Sequence, residues 1–173
     1  MRSFTAKLAG ATLLALFAAV PASAESGGGM RLVLAGSDGP NLVQLSNNAQ
    51  DDLLIESPAG VTAPPAPCVL ETATRARCPA GSVAKIRAAF LAGDDTLTVT
   101  ATMDVPIEVS GGNGDDSLMG GSRRDQISGD GGDDTLIGHG GRDQLAGGAG
   151  NDSCIGGGAV DSASGCETQK SVP

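Results

Sequence analysis

Six aspartates recur at intervals of nine residues: Asp116, Asp125, Asp134, Asp143, Asp152 and Asp161. Glycine dominates the stretch that carries them, with 18 of the chain's 27 glycines falling between Gly111 and Gly165. Carboxylates beside glycine-rich bends offer hard-oxygen chemistry. Glycine tolerates the positive φ that turns several backbone carbonyls to one side, and carbonyls with carboxylate are what calcium accepts, in a forgiving geometry of about six to eight oxygens. Zinc and copper favour His or thiolate, whereas magnesium demands near-ideal octahedra and keeps its waters. The spacing adds a second argument. A nonapeptide holds a turn and a short strand, so two nonapeptides make one flattened coil, and alternate aspartates stack along one edge. Stacked parallel strands lie about 4.8 Å apart. Two like charges about 5 Å apart repel by roughly 3 kcal/mol at an effective dielectric of 20. A column of such carboxylates calls for a cation between its rungs.

Aligned on the aspartates, the segment divides into six nonapeptides that begin at Gly111, Gly120, Gly129, Gly138, Gly147 and Gly156. The first reads Gly111-Gly112-Asn113-Gly114-Asp115-Asp116-Ser117-Leu118-Met119 and the third Gly129-Asp130-Gly131-Gly132-Asp133-Asp134-Thr135-Leu136-Ile137. Position eight is Leu118, Ile127, Leu136, Leu145, Cys154 and Ala163 in turn. The strict period and this apolar position argue against a solvated linker. In these residues the sequence resembles the repeats-in-toxin (hemolysin-type calcium-binding) family, whose repeat is G-G-x-G-x-D-x-U-x with U large and apolar. The resemblance covers about a third of the chain. It implies an all-β fold, a right-handed parallel β-roll or β-solenoid with stacked calcium-binding turns, and Ca2+ as the ion.

The two edges of such a roll are unequal. Edge one takes the odd repeats, with candidate ligands Gly112, Gly114, Asp115 and Asp116, then Gly131, Asp133 and Asp134, then Gly148, Gly150, Asn151 and Asp152. Two good sites are expected there, between Asp116 and Asp134 and between Asp134 and Asp152. Edge two takes the even repeats, with Asp125, Asp143 and Asp161 as candidate ligands of weaker sites. Arg123 and Ala159 replace glycine at position four of this edge, which puts the bend in question, and Arg124 and Arg142 stand beside the aspartates as partial neutralisers. Gly93-Asp94-Asp95 looks like a half-repeat, but Asp95 lies 21 residues before Asp116 and falls out of the 18-residue register. Asp94-Asp95 and Asp51-Asp52 therefore read as turn residues.

Other chemistry is sparse. The only histidine, His139, falls at position two of a repeat and reads as a turn residue. A Ser-His-Asp or Cys-His arrangement would have to use it, so the reading is not an enzyme. The rival, a small hydrolase with a calcium-stabilised tail, would declare itself in an esterase or peptidase screen. Four cysteines in a secreted chain point to disulfides, and the two local pairings, Cys68–Cys78 and Cys154–Cys166, are expected. The second would staple the last coil.

The elements around the repeats come from the rest of the chain. Residues 1–24 have a basic start, the apolar run Leu8 to Val20 and the small-x-small end Ala22-Ser23-Ala24, the pattern of a secretory signal. No later stretch reaches the roughly 20 apolar residues of a spanning helix. Without Arg2 and Lys7 the chain keeps 9 basic residues against 20 acidic ones and a net charge of −11. Such a chain repels nucleic acid and anionic lipid and attracts cations. Residues 25–110 carry short runs rich in Leu, Val and Thr, such as Arg31–Leu34, Asn41–Leu45, Asp52–Ile55 and Thr96–Thr100, bracketed by turn residues. Ala84–Leu91 also reads as strand, Val105–Val109 as an edge or strand end because of Pro106, and Ala63–Pro67 as a stiff connector. The expected organisation is a signal at 1–24, a β-rich region at 25–110 that continues or caps the solenoid, a calcium-binding roll at 111–167 and a tail at 168–173. The function expected is that of a secreted, extracellular calcium-binding protein that folds on binding Ca2+, with no nucleic-acid partner and no membrane insertion. The alternative is an envelope or matrix spacer or adhesion module in which calcium is purely structural, its protein or polysaccharide partner open.

Overall fold

A computed structural model of the chain describes residues 15–20, 30–61, 64 and 66–170. All regular structure among them is β, arranged as two sheets that face each other across a narrow core. One sheet runs, in spatial order, β1 (Ala15–Val20), β2 (Met30–Ala35), β7 (Val83–Ala89), β9 (Ile107–Asn113), β11 (Gln126–Gly131), β13 (Gln144–Ala149) and β15 (Ser162–Ser164). The other runs β16 (Thr168–Lys170), β14 (Ser153–Gly157), β12 (Thr135–His139), β10 (Ser117–Met119), β8 (Thr96–Val99), β3 (Leu42–Asn47), β4 (Leu53–Glu56), β6 (Arg75–Cys78) and β5 (Val69–Thr72). From β7 onward the chain alternates between the sheets, and neighbours within each sheet are parallel. The result is a parallel β-solenoid of about five turns.

The register follows from position eight. Leu118 pairs with Leu136 and Leu136 with Cys154 in one sheet, while Ile127 pairs with Leu145 and Leu145 with Ala163 in the other. Side chains alternate faces along a strand, so position eight points inward and positions seven and nine outward. Leu118, Ile127, Leu136, Leu145 and Cys154 are buried accordingly. This supplies one large apolar side chain in each of the first four nonapeptides and Cys154 in the fifth, while Ala163 of the sixth is exposed: a thin core. The preceding coils are richer, with Leu32, Leu34, Val43, Leu45, Ile55, Ile86, Phe90, Leu97, Met103 and Ile107 all buried in one cluster continuous with that of the repeats.

The solenoid therefore starts well before the nonapeptides. β2 pairs in parallel with β7, and β3 with β8, in the same two sheets. β4, β6 and β5 then extend the second sheet as antiparallel neighbours. At the other end Thr168–Lys170 pairs in parallel with β14, so strand pairing runs on through residue 170. Ala84–Leu91 contributes β7, and β9 begins at Ile107, directly after Pro106, where the missing N–H costs no ladder bond. Both expected disulfides are present, Cys68–Cys78 and Cys154–Cys166. Ala66 and Pro67 lie in a turn, and residues 62, 63 and 65 of that region lie outside the described ones. The signal-like segment 1–24 also lies largely outside them; within it, β1 pairs antiparallel with β2.

Candidate metal centre

The turns between the two sheets form the two edges. On edge one, each position-six side chain reaches back to the coil before it. The N–H of Asp95 donates to Asp116 Oδ1 at 2.8 Å, that of Asp116 to Asp134 Oδ1 at 2.8 Å, and that of Asp134 to Asp152 Oδ1 at 2.9 Å. Position five laces the turns in the opposite direction: the N–H of Asp115 donates to Asp94 Oδ1 at 3.0 Å, that of Asp133 to Asp115 Oδ1 and that of Asn151 to Asp133 Oδ1, both at 2.8 Å. Asp95, Asp116, Asp134 and Asp152 are each no more than 2 % exposed.

One oxygen of each is thus engaged, and the other is not. Oδ2 of Asp95, Asp116, Asp134 and Asp152 is buried without a hydrogen-bond partner. A buried polar atom left unpaired costs roughly 1–3 kcal/mol, and more when charged. A repeated orphan oxygen asks for a ligand. Its surroundings are backbone: Asp116 Oδ2 lies against Gly111, the position-one glycine of its own turn, where a Cβ would collide both with it and with the carbonyl oxygen of Gly129 in the next coil. Position four is equally crowded, because a Cβ on Gly132 would strike the Gly114 carbonyl and one on Gly150 the Gly132 carbonyl. Gly114 and Gly150 also have φ of 132° and 146°, values side chains rarely adopt. Gly112 and Gly148 take φ of 111° and 120°, whereas in the third repeat Asp130 holds that left-handed place and Gly131 instead accepts the N–H of Gly114 at 2.8 Å. Among the described residues no three His, Cys, Asp or Glu side chains converge. An ion here draws mainly on carbonyls, a hard and flexible donor set that fits calcium.

Edge two repeats the plan with defects. The N–H groups of Ile107, Asp125 and Asp143 donate to Oδ1 of Asp125, Asp143 and Asp161 at 2.7, 2.8 and 2.9 Å. Oδ2 of Asp143 and of Asp161 is orphaned, but that of Asp125 accepts the N–H of Gly121 at 2.7 Å. The turn that carries Arg123 at position four therefore closes on its own aspartate and leaves no open oxygen. His139 adopts φ of 68°, as a turn residue would. Arg124 and Arg142 make no ion pair with the column among the described residues; Arg123 instead pairs with Asp104.

Burial sets the protonation of these groups. It pushes Asp116 and Asp143 up to about 7 and Asp125 up to about 6, and it raises Asp134 and Asp95 as well. For Asp116 and Asp143 repulsion from the aspartates above and below adds to the desolvation, while the backbone N–H bonds oppose it.

The sequence reading misses three members of the edge-one column. Asp95 stands in it because the three extra residues between it and Asp116 are taken up on the far edge, in the turn from β8 to β9, and Ser117 still pairs with Thr96. Asn41 stands above it, donating from N–H at 2.6 Å and from Nδ2 at 2.8 Å to Asp95 Oδ1. Glu167 stands at the other end, its Oε2 accepting the N–H of Asp152 at 2.6 Å. A signal for Asn41 was available: Gly36-Ser37-Asp38-Gly39-Pro40-Asn41 keeps glycine at positions one and four and a side-chain oxygen at position six. Position one of the Asp95 turn is Phe90, however, so that turn lacks the glycine floor.

Residues 110–145 and 129–163 match the family model of the RTX calcium-binding nonapeptide repeat, with four copies. Over these residues, about a third of the chain, the sequence is similar to repeats-in-toxin repeats, a structural, non-catalytic module, and Ca2+ is the ion such repeats bind. No curated protein and no solved structure matches the chain.

Proposed function

We propose that this calcium-binding protein is secreted, and that calcium outside the cell completes the folding of its repeat region. The observation that carries the reading is the repeated orphan Oδ2, buried on edge one beside a glycine that admits no Cβ. Asp116, Asp134 and Asp152 would hold the ions of edge one with carbonyl oxygens of the glycine turns, among them those of repeat positions one, two and four. Asp143 and Asp161 would hold weaker ones on edge two, and Asp125 would serve the fold rather than the metal. Bound calcium supplies the positive charge that lets these buried carboxylates ionise.

Folding on binding is supported by the uneven core. The coils before residue 110 bury many large apolar side chains and carry the Cys68–Cys78 disulfide, whereas the first four nonapeptides bury one each, the fifth buries Cys154 and the sixth none. A site assembled only in the folded state makes metal binding part of the folding energy. Secretion is supported by the signal-like segment and by two disulfides, which persist in oxidising compartments.

A calcium titration followed by circular dichroism and calorimetry, with magnesium as control, tests this reading. The expected result is a cooperative gain of β signal at about 10⁻⁴ to 10⁻³ M calcium, the range of extracellular modules, with hydrogen exchange slowing in β11–β14 while β2, β3 and β7 are protected throughout. A repeat region equally protected in chelator would reduce calcium to an accessory.

A further inference from the structure

We propose that the edge-one column carries one more cation site past the last nonapeptide, between Asp152 and the short turn Gly165-Cys166-Glu167, and that the Cys154–Cys166 disulfide holds this site together. The inference rests on the reading of edge one as the calcium edge, but its residues at 165–167 lie outside the repeats.

At two rungs three features meet: the position-one glycine, the orphan Oδ2 of its own turn, and the position-one carbonyl of the next coil. Gly111, Asp116 and Gly129 show this, as do Gly138, Asp143 and Gly156 on edge two. By that pattern Gly147 and Asp152 need a partner 18 residues further on. Gly165 stands there. Its carbonyl oxygen and Asp152 Oδ2 both crowd the place where a Cβ on Gly147 would sit, and the carbonyl accepts the N–H of Gly148 at 3.2 Å. Asp152 is 1 % exposed and its Oδ2 has no partner.

The chain then takes a short cut. Thr168 pairs with Ser153, only 15 residues away, so the last turn lacks three residues of the regular one. A residue at the aspartate position must span the difference, and Glu167, longer by one methylene, does: its Oε2 accepts the N–H of Asp152 at 2.6 Å, and the N–H of Thr168 donates to the Asp152 carbonyl at 3.0 Å. Cys166, between Gly165 and Glu167, is tied to Cys154 in the core of the preceding coil. The opposite end of the column gives the contrast. There the closing residue is Asn41, a neutral amide that donates to Asp95, above a turn with Phe90 in place of the glycine. One end brings a neutral amide to the column, its Oδ1 also buried without a partner; the other brings an exposed second carboxylate, Glu167, whose charge adds to that of the buried Asp152.

Calcium stoichiometry of the full chain, measured by calorimetry and equilibrium dialysis, tests the site. Glu167→Gln keeps an acceptor for the Asp152 N–H and removes only the charge, and it should bind one calcium fewer than the wild type with the rest unchanged. Cys166→Ser alters no ligand type and should weaken the same ion, and combining it with Glu167→Gln should lose nothing further. Should Glu167→Gln unfold the last coil, Cys166→Ser alone reads the site. Wild-type stoichiometry and affinity in both variants would overturn the inference while leaving the repeats as calcium sites. A wild type that takes up no calcium would overturn the reading of the whole edge.

Discussion

In calcium-free buffer the roll should lose stability as pH rises from 5 to 7, opposite to a protein held by ion-paired carboxylates. Burial places Asp116 and Asp143 at about 7 and Asp125 at about 6 in the folded state, whereas an unfolded chain titrates its aspartates near 3.9. Between those values the folded state holds more protons than the unfolded one, so stability falls with pH by up to about 1.4 kcal/mol per unit for each such group. The contribution of each neutral carboxyl is fully present below the unfolded value and is lost as pH climbs through the folded one. From pH 5 to 7 that is about 2–3 kcal/mol for Asp116 at face value. Solvent reaching the turns and the coupling of the column reduce it to about 1 kcal/mol each, or about 3 kcal/mol for the three. For a chain of this size such a loss lowers Tm by roughly 6–12 °C. Thermal melts by circular dichroism in chelator at pH 5, 6 and 7 measure it. Saturating calcium should reverse the slope, because the ion holds the carboxylates ionised, and binding near pH 6 should release protons, seen as a dependence of the calorimetric heat on the buffer's ionisation enthalpy. A calcium-free Tm that rises from pH 5 to 7 would refute the argument.

The column makes further demands. Asp134→Asn, in a residue shared by two rungs, keeps the bond from the Asp116 N–H and removes the charge; calcium stoichiometry by dialysis should fall by up to two ions. Asp125→Asn turns an amide toward the N–H of Gly121 and should cost about 1–3 kcal/mol in urea denaturation, with calcium stoichiometry intact. Gly129→Ala sets a methyl against the Asp134 carboxylate and should raise the calcium midpoint of folding, at a cost of about 1–3 kcal/mol from overpacking, read from denaturation in saturating calcium. Leu136→Ala removes the one fully buried large apolar side chain of its repeat and should cost about 2–5 kcal/mol in the calcium-loaded protein.

What was legible in the sequence is what repeats with a fixed period. The nine-residue spacing of Asp116 to Asp161 carried the stacking, the register and the inequality of the edges, because parallel pairing of identical coils has only one way to keep position eight inward. Asp95 and Glu167 were lost because a solenoid tolerates insertions and deletions in its turns as long as the strands stay paired, and Asn41 because β4, β5 and β6 are inserted between its coil and the next. Three residues added between β8 and β9, and three removed before β16, shift the numbering without moving the column. The hairpin of β5 and β6 had no periodic signal at all. It is held by the Cys68–Cys78 disulfide and by Arg77, which pairs with Glu71 at 2.8 Å within the hairpin and with Asp52, 25 residues away, at 3.1 Å.

The two halves of the solenoid are stabilised by different physics. Before residue 110 the coils bury large side chains, and the edge-one column there ends in a neutral amide, Asn41, on Asp95. After it, glycine replaces bulk at the turns, and the carboxylates fold over the floor that glycine leaves. Apolar burial works in any buffer, whereas the aspartate column is neutralised only by protons or by a cation. A folded N-terminal coil offers β9 a paired edge in β7 from the start, so folding of the repeats needs no separate nucleus. Each rung that fills can then present the next coil with a formed edge and one more half-site. Calcium-driven folding should consequently proceed from β9 toward β16. Proline placed at Leu145 should block protection of β13 and everything after it while leaving β9 and β10 protected, and hydrogen exchange that showed the last coils forming first would overturn that direction.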